Sequence, residues 1–112
     1  MNNFESILKA VIGFAKRLIY AEGGDENVII PSAILHDIGI KECEKKYNSV
    51  SGNLQEKEGP PIAGMILAKV RYPGEYVNEI LEIIGNHHSP GKITSLNFQI
   101  LYEADWLVNL GE

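Results

Sequence analysis

Apolar side chains recur every three or four residues along most of this chain, which is the spacing of one face of an α-helix. In residues 3–22 the apolar positions include Ile7, Leu8, Val11, Ile12, Ala15, Leu18 and Ile19. No segment shows the strict alternation of a half-buried strand. The pattern predicts an all-α fold, a compact bundle of about five to six helices that forms a single domain over residues 1–112.

Glycine and proline divide the first part of the chain into predicted helices. Gly23–Gly24 supplies the end of the first helix, and Asp25 offers the N-cap of a second. Pro31 either begins this second helix or kinks one that starts near residue 26. Gly39 is expected to end it.

The second part of the chain contains a long polar segment between apolar stripes. We predict that Lys41 to Gly59 forms a loop, since few of its residues could anchor it, and that Pro60–Pro61 opens the next helix. Two more helices are expected to start near Glu75 and Ser95.

Composition excludes several classes of protein. Cys43 is the single cysteine, so neither an internal disulfide nor a CxxC zinc site can form. The net charge of −5 argues against a nucleic-acid polymer as partner. No apolar run approaches the roughly 18 residues of a membrane span, and the N-terminus does not resemble a signal peptide. We therefore expect a cytoplasmic protein with no membrane partner, whose oligomeric state the sequence leaves open.

Polar groups interrupt the apolar pattern at His36–Asp37, directly after Ala33-Ile34-Leu35. Taken alone, the pair is explained as well by a hydrogen-bonded core histidine and an aspartate that interacts with local backbone. For the pair alone the structural explanation is the commoner one, and the alternative is a metal bound by one nitrogen and one oxygen ligand.

Asp105 lies within the apolar stripe of the last predicted helix, together with Phe98, Leu101 and Val108. A buried carboxylate without a partner is costly, so Asp105 needs either a lysine or arginine or a divalent cation, and both solutions remain open. Phe98 and Trp106 are expected to be core residues.

His87–His88 is the third such feature. Projected from Val77 along the preceding helix, His88 returns to the apolar face and His87 points elsewhere, unless Gly85 ends the helix first. All three histidines of the chain and two acids thus lie beside apolar faces. Nitrogen and oxygen ligands without sulfur suit Fe, Mn, Zn, Co or Mg rather than a structural thiolate zinc site.

These segments, in this order, resemble those of the HD-domain superfamily of metal-dependent phosphohydrolases. Residues 33–39 (AILHDIG) resemble its signature, residues 102–107 (YEADWL) its last metal-ligand segment and residues 83–90 its histidine-pair segment. The resemblance implies an all-α HD-like domain in which His36 and Asp37 bind a divalent metal and Asp105 completes the site. In two-metal members a pair such as His87–His88 adds ligands.

The chain departs from that family at two positions. The family's first metal-binding histidine lies on the first helix, and here the register falls on Ile7. Another family histidine would fall near Gly59, where only Glu58 is close enough to replace it.

The resemblance implies a hydrolase in which water activated by the metal attacks a phosphomonoester or phosphodiester, in a nucleotide or related metabolite. Asp37, which could orient that water, and Lys41 are the candidate catalytic residues. Lys41 and Lys92 are candidate contacts to the substrate phosphate, and both are equally explained as solvated surface lysines. Gln55, Glu56 and Glu58 lie on the predicted loop that could cover the site.

Two other functions remain open. The changes at Ile7 and Gly59 are also consistent with a degenerate HD module that binds a nucleotide or a protein partner without catalysis. A third possibility is a helical interaction domain in which the histidines only pack.

Overall fold

The computed structural model describes residues 3–110 and, among these, the side chains of residues 5–108. This range contains six helices and no strand: α1 (Asn3–Glu22), α2 (Glu26–Leu35), α3 (Ile40–Tyr47), α4 (Gly52–Lys69), α5 (Gly74–Ile84) and α6 (Leu96–Leu110). The prediction of an all-α bundle is confirmed. Of the helices described, none is long and apolar enough to cross a membrane.

The sequence predicted α1, α5 and α6 nearly as they are observed. α1 ends just before Gly23, which has a φ of 85°, a value that glycine adopts without steric cost. α6 begins one residue after Ser95, whose hydroxyl accepts the backbone N–H of Phe98 at 3.2 Å. Such a side-chain acceptor satisfies one of the free N–H groups of a first helical turn.

α2 is the central helix and packs against α1, α5 and α6. The Asp25 carboxylate caps it by accepting the Asn27 N–H at 2.9 Å. Pro31 lies inside the helix, so the Asn27 carbonyl lacks its usual helical donor. The Tyr72 hydroxyl donates to that carbonyl at 2.6 Å and replaces the missing bond.

The prediction of a loop over residues 41–59 is wrong, because this segment forms α3 and the first half of α4. α3 buries only Cys43, and α3 is connected to α4 through Asn48, which ends α3 with a left-handed φ of 52°. A short helix with one buried anchor leaves almost no apolar periodicity in the sequence. Its packing against α4 stabilises it instead.

The prediction that Pro60–Pro61 opens a helix is also wrong, since both prolines lie inside α4. The helix passes very close to Gly39, where an added Cβ would lie 3.0 Å from the Gly59 nitrogen. Gly39 does not end α2, which stops at Leu35, but directly precedes α3. The two glycines therefore let the chain around His36–Asp37 approach α4 closely.

The core lies where α1, α2, α5 and α6 meet. Its largest fully buried side chains are Phe98, Ile29, Ile80, Ile83, Ile84, Ile100 and Leu101. Phe98 is thus a core residue as predicted. The prediction for Trp106 is wrong, because its side chain is 53% exposed on the outer face of α6.

Candidate metal centre

Two histidines lie at the ends of two helices, and each is held by a hydrogen bond to a backbone carbonyl three residues earlier. His36 directly follows α2, and its Nδ1 lies 2.7 Å from the Ala33 carbonyl oxygen. His87 follows the end of α5, and its Nδ1 lies 2.7 Å from the Ile84 carbonyl oxygen. The last carbonyls of a helix lack internal donors and can only accept, so each Nδ1 carries the proton. Each neutral ring is left with a bare Nε2, the form that binds metals.

The Asp37 carboxylate lies between the Nε2 atoms of His36 and His87. Its Oδ2 lies 3.2 Å from His36 Nε2, and its Oδ1 lies 3.7 Å from His87 Nε2. The two imidazole rings meet edge to face with their centroids 5.4 Å apart. A single carboxylate therefore faces nitrogens from the ends of two different helices.

Asp105 enters from α6 and completes this arrangement. Its Oδ1 lies 3.4 Å from His36 Nε2. Among the described side chains, no lysine or arginine forms an ion pair with Asp105. The sequence predicted a buried carboxylate, whereas the Asp105 side chain is 31% exposed, and it is paired with the His36 ring rather than with a lysine or arginine.

The structure shows the reverse of the predicted orientations, in which His88 faced the apolar side of the helix and His87 pointed elsewhere. His87 is buried with 8% exposure, whereas His88 is exposed, because α5 ends at Ile84 and the following turn changes the register. Potential ligand atoms of Asp37, His87 and His88 lie within 4.8 Å of one another. His36 adjoins this cluster through Asp37, and Asp105 in turn contacts His36.

The donor set fits a divalent cation. His87 Nε2 is fully buried and has no hydrogen-bond partner within the described part of the chain. An orphaned buried acceptor costs on the order of 1–3 kcal/mol, and a cation between His87 and Asp37 would satisfy it. Which of the predicted ligands His36, Asp37, Asp105, His87 and His88 bind the ion stays a prediction.

The first two turns of α4 hold His88 in place. The Gln55 side chain donates its Nε2–H to the Val50 carbonyl at 2.6 Å, which turns its Oε1 towards His88. His88 Nε2 donates to this Oε1 at 3.0 Å, so Nδ1 is the nitrogen that remains free in the neutral ring. His88 is more exposed than His87, but the partial burial of its ring, followed by the neighbouring His87, lowers the pKa of His88 and favours the neutral ring.

Glu56 fixes the backbone of the same turn. Its two carboxylate oxygens accept the His88 N–H at 3.0 Å and the Ser89 hydroxyl at 2.9 Å. The sequence placed Gln55 and Glu56 on a covering loop, whereas both lie on a helix and contact the histidine pair. Helical spacing from Gly52 to Gln55 and Gly59 was the available signal for this face of α4.

Glu58 does not take the place of a missing histidine. It accepts the Tyr47 hydroxyl at 2.7 Å and the Lys46 ammonium at 3.0 Å, on the α3 side of α4. Gly59 packs against the backbone at Gly39, and a Cβ on it would lie 3.0 Å from Ile84 Cγ2. Neither residue lines the cavity described next.

A cavity of about 280 Å³ opens beside these groups. Its polar side consists of His36, Asp37, Gln55, His88 and Asp105, and its apolar side of Ile7, Leu8, Val11, Ile34 and Ile40. Lys41 and Lys92 are exposed and line no part of it, so their contact with a substrate phosphate stays a prediction.

A comparison with protein-family models shows which family the chain belongs to. Residues 8–110 match the model described as HD domain, which covers nearly the whole chain. The chain belongs to the HD domain family. A comparison with curated proteins and one with solved structures found no match.

Ile7 lines the cavity of this HD domain together with His36, Asp37, His88 and Asp105. The family resemblance placed the first metal-binding histidine at this register, and Ile7 there lines the cavity. Its side chain cannot donate electrons to a metal.

Charge on His36 is strongly coupled to the two carboxylates. Burial alone would lower the pKa of His36, but the contacts with Asp105 and Asp37 raise it from 6.5 to about 10. Burial raises the pKa of Asp37, and the contacts with His36 and His87 overcome this effect and lower it below 3.8. Without a metal, a proton on His36 therefore balances the carboxylates.

This coupling predicts how stability of the metal-free HD domain depends on pH. The raised pKa of His36 stabilises the fold fully below pH 6.5, and this contribution is lost as the pH rises towards about 10. The lowered pKa of Asp37 contributes above pH 3.8 and is lost in more acidic solution. We expect urea unfolding in EDTA to give the highest free energy of unfolding between about pH 3.8 and pH 6.5. His36→Gln should flatten the decline above pH 6.5, and an unchanged decline would contradict the coupling.

A second prediction concerns Gly52, which supports the His88 ring. A Cβ at this position would lie 2.7 Å from His88 Cβ and 2.8 Å from its Cγ, closer than real contacts allow. Gly52→Ala should therefore displace His88 and weaken Mn²⁺ affinity about tenfold, as loss of supporting contacts does at other metal sites. The measurement is a calorimetric titration with Mn²⁺.

Gly64→Ala is the matched control on the same helix. Its added Cβ would lie 3.6 Å from Leu81 Cδ1, an ordinary van der Waals distance. It should leave Mn²⁺ affinity unchanged. Equal affinities for the two variants would mean that His88 does not need its observed position.

Proposed function

We propose that this HD domain is a metal-dependent phosphohydrolase that cleaves a phosphomonoester or phosphodiester in a nucleotide or related metabolite. One observation carries the proposal. The Nε2 atoms of His36 and His87 face the carboxylate of Asp37, and the buried His87 Nε2 has no hydrogen-bond partner among the described residues. Membership of the HD domain family supports the same chemistry.

In this proposal the chain's own side chains bind the cation and orient the reactants. His36, Asp37 and Asp105 would hold it, with His87 and His88 as further ligands. A divalent cation, whether Fe, Mn, Zn, Co or Mg, supplies Lewis-acid chemistry that neutralises phosphoryl charge and makes water a better nucleophile. Asp37 would also accept a hydrogen bond from the attacking water and so fix its direction.

Lys41 and Lys92 are proposed to contact the substrate phosphate from outside the cavity. Lys41 lies in the first turn of α3, one residue after Ile40, which lines the cavity. Lys92 lies in the connection between α5 and α6. Lys41→Ala and Lys92→Ala should raise KM more than they lower kcat if each lysine acts as a point charge on bound phosphate.

The deciding experiment combines elemental analysis with a phosphatase screen. The chain would be expressed with Fe, Mn, Zn, Co or Mg supplements and assayed on phosphomonoesters and phosphodiesters with each metal. We expect stoichiometric metal and turnover in the wild type, and loss of both in Asp105→Ala. Glu103→Gln, an exposed acid on the same helix, is the control and should retain both. A wild-type protein that binds none of these metals would contradict the proposal.

A degenerate HD module is the second candidate, and Ile7 on the cavity wall favours it. Such a module would bind a nucleotide or protein partner without turnover. Asp105→Ala separates the two functions, because a pure binder would keep its fold and ligand affinity whereas a hydrolase would lose metal and activity together.

A further inference from the structure

The cavity has two chemically different sides, and one of them has no part in holding a metal. The apolar side is formed by Ile7, Leu8 and Val11 of α1 with Ile34 and Ile40. Ile7 packs against the hydrophobic core, so it forms a fixed wall. A wall of this kind accepts apolar groups and rejects hydroxyls, since a buried hydroxyl without a partner is costly.

The polar side carries negative charge and no ammonium or guanidinium group. Of the described residues, no lysine or arginine lines the cavity, whereas Asp37 and Asp105 both do. Each phosphate beyond the one at the metal would bring further negative charge into a cavity lined by two carboxylates and by no cationic side chain. These charges favour a ligand with a single phosphate.

The size of the cavity limits the rest of the ligand. Its volume of about 280 Å³ is slightly smaller than the roughly 300–1,000 Å³ of most small-molecule pockets. The ligand must place its phosphate near the histidines and its remaining atoms against α1. A compact group satisfies both conditions.

We infer that the substrate is the phosphate monoester of a compact, apolar alcohol, whose carbon chain packs against Ile7, Leu8 and Val11. This inference rests on the proposed phosphomonoester hydrolysis and favours a smaller, apolar alcohol over the nucleotide named there. In the reaction, water forms a new bond to phosphorus while the ester P–O bond breaks. The alcohol leaves with one proton and inorganic phosphate retains the other.

The test compares substrates that share a phosphate and differ in their alcohol. n-Butyl phosphate and glycerol 1-phosphate are both primary alkyl monoesters, and butyl diphosphate adds one phosphate. With Mn²⁺ present, we expect kcat/KM for n-butyl phosphate to exceed that for glycerol 1-phosphate about tenfold or more, the scale set by an unpartnered buried hydroxyl. Butyl diphosphate should be the poorer substrate of the butyl pair.

A variant pair on α1 links this preference to the wall. Ile7→Thr introduces a hydroxyl on the wall and should reduce the preference for n-butyl phosphate about threefold or more. Ile12→Thr makes the same change at a half-buried residue of α1 that packs on the core and does not line the cavity. It should leave the preference unchanged.

The outcomes separate this inference from the proposed function. Turnover of glycerol 1-phosphate at an equal or higher rate overturns the inference and upholds the hydrolase. If no ester is hydrolysed, the hydrolase fails, and calorimetry with n-butylphosphonate and 2,3-dihydroxypropylphosphonate in Mn²⁺ decides the ligand class. Tighter binding of n-butylphosphonate upholds the inference for a non-catalytic module, and equal, reversed or absent binding overturns it.

Discussion

Asp37→Asn is expected to weaken metal binding at least about 100-fold. Even mutation of residues that contact only the ligands of a metal lowers metal affinity about 10–100-fold. Asp37 is the carboxylate that faces both His36 Nε2 and His87 Nε2. Asparagine has nearly the same shape but offers one neutral acceptor in place of two charged oxygens. Calorimetric titration with Mn²⁺ or Zn²⁺ measures the effect directly.

Glu103→Gln is the control for Asp37→Asn, since it removes one negative charge from an exposed position outside the cavity. Circular dichroism melts should show both variants folded. If Asp37→Asn bound metal as tightly as Glu103→Gln, the cluster of Asp37, His87 and His88 would not be the metal site.

Ile7→His should raise metal affinity about tenfold, which corresponds to about 1.4 kcal/mol, and should increase phosphatase turnover in parallel. Ile7 lines the same cavity as His36, Asp37 and Asp105, so an imidazole there would add a nitrogen ligand from α1. A gain in both quantities would show that the missing histidine limits this HD domain.

Ile12→His introduces the same side chain on α1 at a position that does not line the cavity. It should change neither metal affinity nor turnover. A gain in affinity without a gain in turnover would favour the binding module over the hydrolase. No gain in either would mean that an imidazole at position 7 cannot reach the metal.

Ile7 thus has two separable roles in these expectations. Its replacement by histidine tests the metal, and its replacement by threonine tests the apolar wall. The first change should move metal affinity, whereas the second should move the choice between butyl and glycerol esters. Because the two readouts differ, one result does not determine the other.

Helices with a continuous apolar stripe were predictable from the sequence, as α1 and α6 illustrate. α3 was not predictable, because it buries Cys43 alone and owes its stability to contact with α4. The inner prolines of α4 were equally misleading. Proline disfavours a helix interior by about 3 kcal/mol, so Pro60–Pro61 reads as a start when local sequence is considered alone.

Trp106 shows that the burial of a side chain is equally hard to predict from local sequence. It follows Asp105 on α6 and is large and apolar, yet it lies on the outer face, 53% exposed. The type of a residue does not fix its side of a helix. That depends on the neighbours that pack against the helix, and these come from distant parts of the chain.

The sequence by itself determined the helical class, the family and the identity of the groups that converge on the candidate metal centre. The chemistry of histidine and aspartate among apolar neighbours is local, so it can be read one segment at a time. Only the tertiary structure decided that His87, not His88, is buried, that Gln55 and Glu56 hold the histidine turn, and that the cavity has an apolar wall. Each of these features depends on where helices end and how they pack, and contacts between distant parts of the chain set those positions.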